Sequence, residues 1–277
     1  MDIVRKTYEF YRKYSGEKRI LGASSCGLPI VALFAGRHEF PQIIVQCAIH
    51  AREWVTAMLV PELIARETPR GGVWFVPLAN PDGVSICIGG EKFLKQLPVQ
   101  RAQFLRALNA GDDFSLWKSN ANGVDLNVNF SAGWGTGVQN VHFPAPANYI
   151  GPRPFSEAET RVLRDFTLQV KPDATLSYHT KGEEIYWEYG QKGEALFRDQ
   201  GIALALAEET GYCVKRITGS GGGYKDWCVR HLKIPAFTLE AGRDELSHPL
   251  GESEFGEILQ KNQDVLRRLS AELCERR

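Results

Sequence analysis

The 277-residue sequence has no net charge, because its 33 lysines and arginines are balanced by 33 aspartates and glutamates. Without a positive field over the whole molecule, charge alone cannot hold nucleic acid or an anionic membrane surface. We therefore expect neither nucleic acid nor a membrane among the partners of this chain. The length, with 43% hydrophobic residues, suits one sizeable core, and we predict a single domain over residues 1–277.

Long apolar segments are also missing. The strongest run, Ile43–Ile49, is interrupted by Gln46 and is far shorter than the roughly 18 apolar residues of a membrane span. Residues 1–8 lack the apolar core of a secretory signal. These absences predict a soluble protein. They favour a cytoplasmic location, with a trimmed mature form as the alternative.

Paired cysteines are absent too, although the sequence holds six cysteines. No two of them stand in a C-x-x-C arrangement, which argues against a cysteine-rich metal site and against a thioredoxin-like motif. We expect reduced thiols at all of these positions, namely Cys26, Cys47, Cys87, Cys213, Cys228 and Cys274.

Short β-rich apolar runs alternate with helical patterns along the chain. The runs predict five strands, at Pro29–Phe34, Ile43–Ile49, Val73–Pro77, Ala174–Tyr178 and Ala236–Leu239. Apolar spacing predicts helices at Asp2–Tyr14, Val55–Glu67, Glu194–Thr210 and Glu252–Glu275. This alternation is typical of an α/β domain with a largely parallel sheet. Residues 85–150 are expected to be irregular, with strong turn signals at residues 80–83 and 133–137.

Polar side chains follow three of the predicted strands. His50 and Glu53 come after the second strand, His179 after the fourth and Glu240 after the fifth. We expect them to converge, because ligands of α/β sheets bind outside the carboxyl ends of the strands. Imidazole and carboxylate groups are typical ligands of a catalytic zinc, although the His-x-x-Glu pair alone would also fit an exposed helix start. We expect the remaining histidines at the surface, namely His38, His142, His231 and His248.

Six motifs stand in the order in which zinc carboxypeptidases carry them. They are His50-Ala51-Arg52-Glu53-Trp54, Asn80-Pro81-Asp82-Gly83, Gly123-Val124-Asp125-Leu126-Asn127, Tyr178-His179, Asp226-Trp227 and Phe237-Thr238-Leu239-Glu240. Through them the sequence resembles the carboxypeptidase A-like metallopeptidases over nearly its whole length. The resemblance implies a single α/β domain with a mixed, mostly eight-stranded sheet between helices. It also implies one zinc ion held by His50, Glu53 and His179, with Glu240 as general base and later proton donor to the leaving amine.

The resemblance implies further roles around this site. Lys118, after Trp117, stands where the family has an arginine, and its ammonium can supply the positive charge that an oxyanion needs. A solvated loop lysine is the alternative. Arg52 and Asn127 are implied to bind substrate, although Arg52 would equally suit a structural salt bridge. Asp125 is expected to orient a neighbour, as carboxylates beside zinc-bound histidines commonly do.

Two substrate clamps of the digestive carboxypeptidases are missing. Val128 stands where the family has the arginine that binds the terminal carboxylate, and a valine cannot form that bidentate pair. Thr218, a candidate substrate-binding residue, stands where the family has a covering tyrosine. Residues 179–187 and 223–227 are instead similar to the bacterial branch that cuts γ-D-glutamyl to diaminopimelate bonds of murein peptides.

The family places the residue before Asp226 in the pocket of the leaving residue. Lys225 in that place would suit the distal carboxylate of diaminopimelate, with a lysine turned to solvent as the alternative. The glycine-rich residues 219–223 are not followed by the Gly-Lys-Ser/Thr of a phosphate loop. We expect a mobile loop beside the pocket there.

The sequence therefore predicts a zinc peptidase of murein recycling inside the cell, with a murein-derived peptide as its partner. Glu240 would assist the attack of zinc-bound water on the γ-D-glutamyl to diaminopimelate bond. The alternative is a conventional zinc carboxypeptidase that releases C-terminal amino acids from L-peptides and holds their carboxylate with Arg52 or another cation. A zinc-binding interaction module without catalysis is a third interpretation, and the completeness of the site argues against it. No oligomeric state follows from the sequence.

Overall fold

Eight strands form one mixed sheet in the computed structural model, which describes residues 2–66 and 70–276. The strands are β1 (Lys18–Ala23), β2 (Pro29–Gly36), β3 (Gln42–Gln46), β4 (Gly72–Val76), β5 (Ala174–His179), β6 (Glu184–Tyr186), β7 (Cys213–Lys215) and β8 (Ala236–Glu240). Their order in the sheet is β1-β2-β4-β3-β5-β8-β6-β7. The central strands β4, β3, β5 and β8 run parallel, whereas β2 and β6 join this group in antiparallel fashion. The predicted α/β class with a mixed eight-stranded sheet is confirmed.

Helices cover both faces of this sheet. Within the described residues they are α1 (Ile3–Lys13), α2 (Leu59–Ala65), α3 (Pro81–Gly89), α4 (Glu91–Leu94), α5 (Val99–Asn109), α6 (Ala158–Val170), α7 (Glu194–Thr210), α8 (Tyr224–Trp227), α9 (Glu252–Asn262) and α10 (Val265–Glu275). In β3, Ile43 and Val45 pack into the core shared with α7, α9 and α10, while Ile44 packs with α6 and α8 on the other face. This alternation explains the near-continuous apolar runs of the central strands, because both of their faces are buried.

Two predicted helices differ in form from the expectation. The segment from Val55 begins within a 3-10 turn, Ala51–Met58, and becomes α-helical only in α2. Its expected end, Glu67, lies outside the described residues. The helix expected at Glu252–Glu275 is divided into α9 and α10, because Asp264 leaves the helical conformation (φ −107°, ψ 1°).

The irregular structure expected over residues 85–150 is wrong for its first part, which holds α3, α4 and α5. The segment at residues 80–83, expected to be a turn, starts α3. Asn80 accepts the N–H of Gly83 through its side chain, and Pro81 takes the first helical position. Residues that suit turns also suit helix starts, because proline needs no donor there and asparagine satisfies a free one.

The predicted site residues lie at one edge of the sheet, at the carboxyl ends of the central strands. His50 follows β3, His179 ends β5 and Glu240 ends β8. His179 and Glu240 are also direct partners in the register of the two parallel strands. The strand-end argument from the sequence is therefore confirmed in the fold.

Two further expectations concern the thiols and the membrane. All six cysteines are free, as expected. Among the described residues, no helix combines the length and the apolar character that crossing a bilayer requires.

Candidate metal centre and active site

His50, Glu53 and His179 meet at the carboxyl edge of the sheet. The Nδ1 atoms of the two histidines lie 3.1 Å apart, and each lies 2.9 Å from a different oxygen of the Glu53 carboxylate. Glu53 reaches this position because its backbone departs from helical geometry (φ −97°, ψ 26°). The structure thus brings the three predicted ligands together, with Glu53 in the 3-10 turn Ala51–Met58 and His179 at the end of β5.

This set of donors fits a cation. Two imidazole nitrogens and a carboxylate surround one point, all three side chains are buried, and this is a usual ligand set of catalytic zinc. Burial alone would raise the pKa of Glu53, but the two imidazoles hold that pKa well below its usual range. In the part of the chain that the structure describes, no other group of three histidine, cysteine or acidic side chains converges so closely.

Asp125 connects this centre to Lys118. One carboxylate oxygen lies 3.3 Å from His50 Nε2, and the other lies 2.7 Å from the Lys118 ammonium. The contact with His50 is close enough for an ion pair but does not have the alignment of a hydrogen bond. Burial opposes the ionisation of Asp125, but the charges of Lys118 and His50 hold its pKa far below the ordinary value. Lys118 also donates to the side-chain oxygen of Asn148 at 3.3 Å, and the Asn148 N–H donates to Asp125. Lys118 is therefore fixed beside the centre.

Glu240 faces the same centre. The residue as a whole is partly exposed, but protein atoms surround its carboxylate. This burial raises the pKa of Glu240 to about 7, with His179 and Lys118 opposing the shift and Glu53 adding to it. A carboxylate with such a pKa can take up and release a proton near neutral pH.

Arg52 and Asn127, both expected to bind substrate, differ in their contacts. Arg52 lies between two candidate ligands, and its Nε is buried without a partner. Among the described residues its guanidinium makes no hydrogen bond or ion pair, so the salt-bridge alternative is not found. Asn127 is used inside the protein, because its N–H donates to Asp125 and its side-chain oxygen accepts the N–H of Tyr224.

Lys225 is buried in α8 and does not turn to solvent, with an exposed fraction of 6%. Its ammonium donates to the backbone oxygen of Glu188 at 3.0 Å and pairs with Asp226 at 2.6 Å. It also lies 5.5 Å from the centre of the Tyr189 ring. Since an ammonium has three N–H donors, one donor of Lys225 remains for a ligand.

Thr218 is exposed at the start of the glycine-rich segment, which we expected to be a mobile loop. Backbone hydrogen bonds join Gly219 and Gly222 to the segment of residues 130–138. At Gly222 the backbone has φ +85°, and a Cβ atom would lie 2.6 Å from the Val128 oxygen. Glycine is therefore required at this contact, and the segment is tied to its neighbour.

His248, expected at the surface, is half-buried near the centre instead. Its Nδ1 lies 3.5 Å from the hydroxyl of Thr180. Burial lowers the pKa of His248 to about 4, and the positive charge of Arg52 adds to the shift. Sequence analysis also missed Asn148. Both residues lie in irregular segments, where no local pattern marks a site. The other histidines outside the centre are exposed as expected, namely His38, His142 and His231.

Comparisons with known proteins agree with this geometry. The family model described as zinc carboxypeptidase matches residues 12–264. The γ-D-glutamyl-L-diamino acid endopeptidase 1 of Lysinibacillus sphaericus is 29% identical over 260 residues, which cover 87% of this chain and 64% of the relative. The chain thus spans a little less than two thirds of the length of that relative.

Solved structures share the fold. Bovine thrombin-activatable fibrinolysis inhibitor gives a TM-score of 0.75 at 19% identity, covering 98% of this chain and 94% of that one. The murein-tripeptide amidase MpaA of Escherichia coli O157 gives a TM-score of 0.62 at 21% identity, with 93% and 94% covered. Because the family model matches residues 12–264 and a His-Glu-His group lies at the strand ends, this chain belongs to the zinc carboxypeptidase family.

Proposed function

We propose that this chain hydrolyses amide bonds of murein-derived peptides, with the γ-D-glutamyl to diaminopimelate bond as its target. The observation that carries the proposal is a buried cation, Lys225, in the place that the family gives to the pocket of the leaving residue. Its ammonium pairs with Asp226 and donates to Glu188, which leaves one N–H donor for a ligand. Val128 at the position of the usual carboxylate-binding arginine argues against ordinary C-terminal trimming. The name of the Lysinibacillus sphaericus endopeptidase supports the same substrate class.

His50, Glu53 and His179 are the proposed zinc ligands. Bound zinc supplies Lewis-acid polarisation of the scissile carbonyl and of the attacking water. Glu240 accepts a proton from that water and later delivers it to the leaving amine, a task for which its raised pKa suits it. The same carboxylate takes part in both proton transfers, so Glu240 is deprotonated again when the reaction ends.

Lys118 is the proposed partner of the oxyanion that develops on the attacked carbonyl. Its ammonium is held by Asp125 and Asn148, so the positive charge is in place before the reaction. A preorganised charge of this kind favours the transition state over the neutral ground state. Asp125 also faces His50, so one buried carboxylate supports both a zinc ligand and the oxyanion partner.

The decisive experiment incubates the zinc-loaded protein with L-Ala-γ-D-Glu-meso-diaminopimelate and follows the products by mass spectrometry. We expect free diaminopimelate and L-Ala-D-Glu, and neither product with Glu240→Gln. An intact tripeptide together with amino acids released from ordinary L-peptides would favour the conventional carboxypeptidase. Stoichiometric zinc without turnover of any peptide would favour the interaction module.

Lys225 sets the expected preference for the leaving residue. Replacing it by methionine keeps the length of the side chain but removes the charge. We expect KM for the diaminopimelate tripeptide to rise about tenfold or more, because a charge-assisted hydrogen bond is lost. The same variant should leave KM unchanged for an analogue with L-lysine as the leaving residue, which lacks the distal carboxylate. An unchanged KM for the tripeptide would remove this role.

A further inference from the structure

Arg52 is a cation without a counter-charge at the edge of the metal centre. Its Nε is buried and has no partner. Its two terminal nitrogens have no partner among the described residues either, but they are not buried. The guanidinium group is therefore buried at Nε, while the N–H donors of its terminal nitrogens are accessible to a ligand. A buried donor left unpaired is costly, and such a group is a candidate to bind an anionic ligand.

The other cations of this region are already paired. Lys118 pairs with Asp125 at 2.7 Å, and Lys181 pairs with Asp244 at 3.0 Å. Of the three, within the described part of the chain, only Arg52 has its full positive charge available for a ligand. A planar guanidinium is also the side chain best matched to a carboxylate, because it can donate two parallel hydrogen bonds.

Arg52 and Lys225 lie among different neighbours. The charge of Arg52 acts on His248 and Cys87, and His248 also feels the charges of the metal-centre residues. Lys225 contacts Glu188 and Asp226 instead. If Lys225 serves the leaving residue, Arg52 is left as the free cation for a group on the acyl side of the scissile bond.

A γ-glutamyl amide has an anion in that region. Because the bond is made through the γ-carboxyl group, the α-carboxylate of the glutamyl residue stays free on the acyl side. An ordinary α-peptide bond has no carboxylate in the corresponding place. We propose that Arg52 binds this α-carboxylate and so selects γ-linked D-glutamyl residues. This inference rests on the proposed function and adds the recognition of the acyl residue to it.

The test compares two tripeptides that differ only at this group. One is L-Ala-γ-D-Glu-meso-diaminopimelate, and the other has the glutamyl α-carboxylate converted to an amide. We expect the wild-type protein to prefer the acid by roughly 10- to 100-fold in kcat/KM, as the loss of a charge-assisted pair predicts. In Arg52→Gln the preference should shrink to within about twofold, whereas Arg52→Lys should keep part of it, because its ammonium retains the charge but not the bidentate geometry.

Lys181→Gln is the matched control. It removes a neighbouring positive charge that is already paired with Asp244, so the preference for the acid should be retained. If Lys181→Gln and Arg52→Gln reduce the preference equally, the effect is one of general charge and the assignment to Arg52 is wrong.

Binding provides a readout that does not depend on turnover. Calorimetric titration of zinc-free Glu240→Gln protein should show tighter binding of the acid than of the amide, and the added Arg52→Gln change should remove the difference. Cleavage of both tripeptides with a preference unaffected by Arg52→Gln would overturn the inference but leave the proposed function intact. A wild-type protein that neither binds nor cleaves the tripeptides would overturn both.

Discussion

Glu240 lies where one proton can be taken up and returned near neutral pH. Burial raises its pKa to about 7, and the charge of bound zinc lowers this value. A general base must be deprotonated, so activity is lost as the pH falls through this pKa. We expect the acid limb of kcat/KM to have its midpoint below about pH 7, with about a tenfold loss per unit below that midpoint. A profile measured from pH 8 to pH 5 without any decline would contradict this role.

Asp125 faces two partners, so its replacement should affect both. Asp125→Asn keeps the shape but removes the charge that faces His50 and Lys118. We expect zinc affinity, measured by competition with a chelator, to fall about 10- to 100-fold. The rate constant kcat should fall as well, because Lys118 loses the contact that holds its ammonium in place.

Asn148→Gly is the matched variant for this prediction. It removes the side-chain contact with Lys118, keeps the backbone N–H that serves Asp125, and suits the φ of +65° at this position. It should lower kcat and leave zinc affinity unchanged. Equal losses of zinc affinity in the two variants would show that Asp125 does not act on the ligand His50.

The positions of individual site residues could be predicted from the sequence where those residues lie at the end of a strand. His179 and Glu240 follow apolar runs directly, so the topology alone brings them to one edge. The roles of Asn127 and His248 could not be predicted in this way. Which atoms of Asn127 are used depends on the packing of α8, and His248 reaches the centre through an irregular segment.

At the scale of elements, the first turn of α3 contacts the segment that carries His50. Asn80 caps this helix, and its amide also donates to the backbone oxygens of Ile49 and Ser119, both at 3.2 Å. Asn80→Ala should lower the free energy of unfolding by about 2–4 kcal/mol, because it removes a cap and leaves buried carbonyls unpaired. Chemical denaturation measures this loss.

Asp2→Ala is the control for the cap. The side chain of Asp2 accepts an exposed hydrogen bond from the N–H of Arg5 at the start of α1. Its replacement should cost about 1 kcal/mol or less. Similar losses in the two variants would mean that the buried amide contacts of Asn80 contribute nothing to stability.

The strands that the sequence failed to predict share a weak local signal. β6 and β7 have three residues each, too few for a periodic pattern to form. The edge strand β1 is only partly buried, so its apolar residues do not form the run that marks the central strands. These strands depend on pairing with neighbours that are distant in the sequence, and pairing of this kind leaves little trace in local composition.

For the whole molecule, the metal centre couples zinc binding to stability. A ligand that binds only the folded state stabilises it by about 2.7 kcal/mol at a concentration one hundred times Kd. Removal of zinc by a chelator should therefore lower Tm by roughly 5 °C or more. His50→Ala should show the same Tm with and without the chelator. A wild-type Tm that does not respond to zinc would contradict the assignment of the centre.

The hydrogen bonds between the glycine-rich segment and residues 130–138 have a consequence for the kinetics of encounter. These bonds are formed without a substrate, so the backbone of the segment does not have to be ordered during association. In rapid-mixing experiments the observed association rate should rise linearly with substrate concentration, without the plateau that a slow closing step produces. Under the proposed function, peptides are then discriminated on first contact, by charged side chains that are already in position, and not by a later closing step.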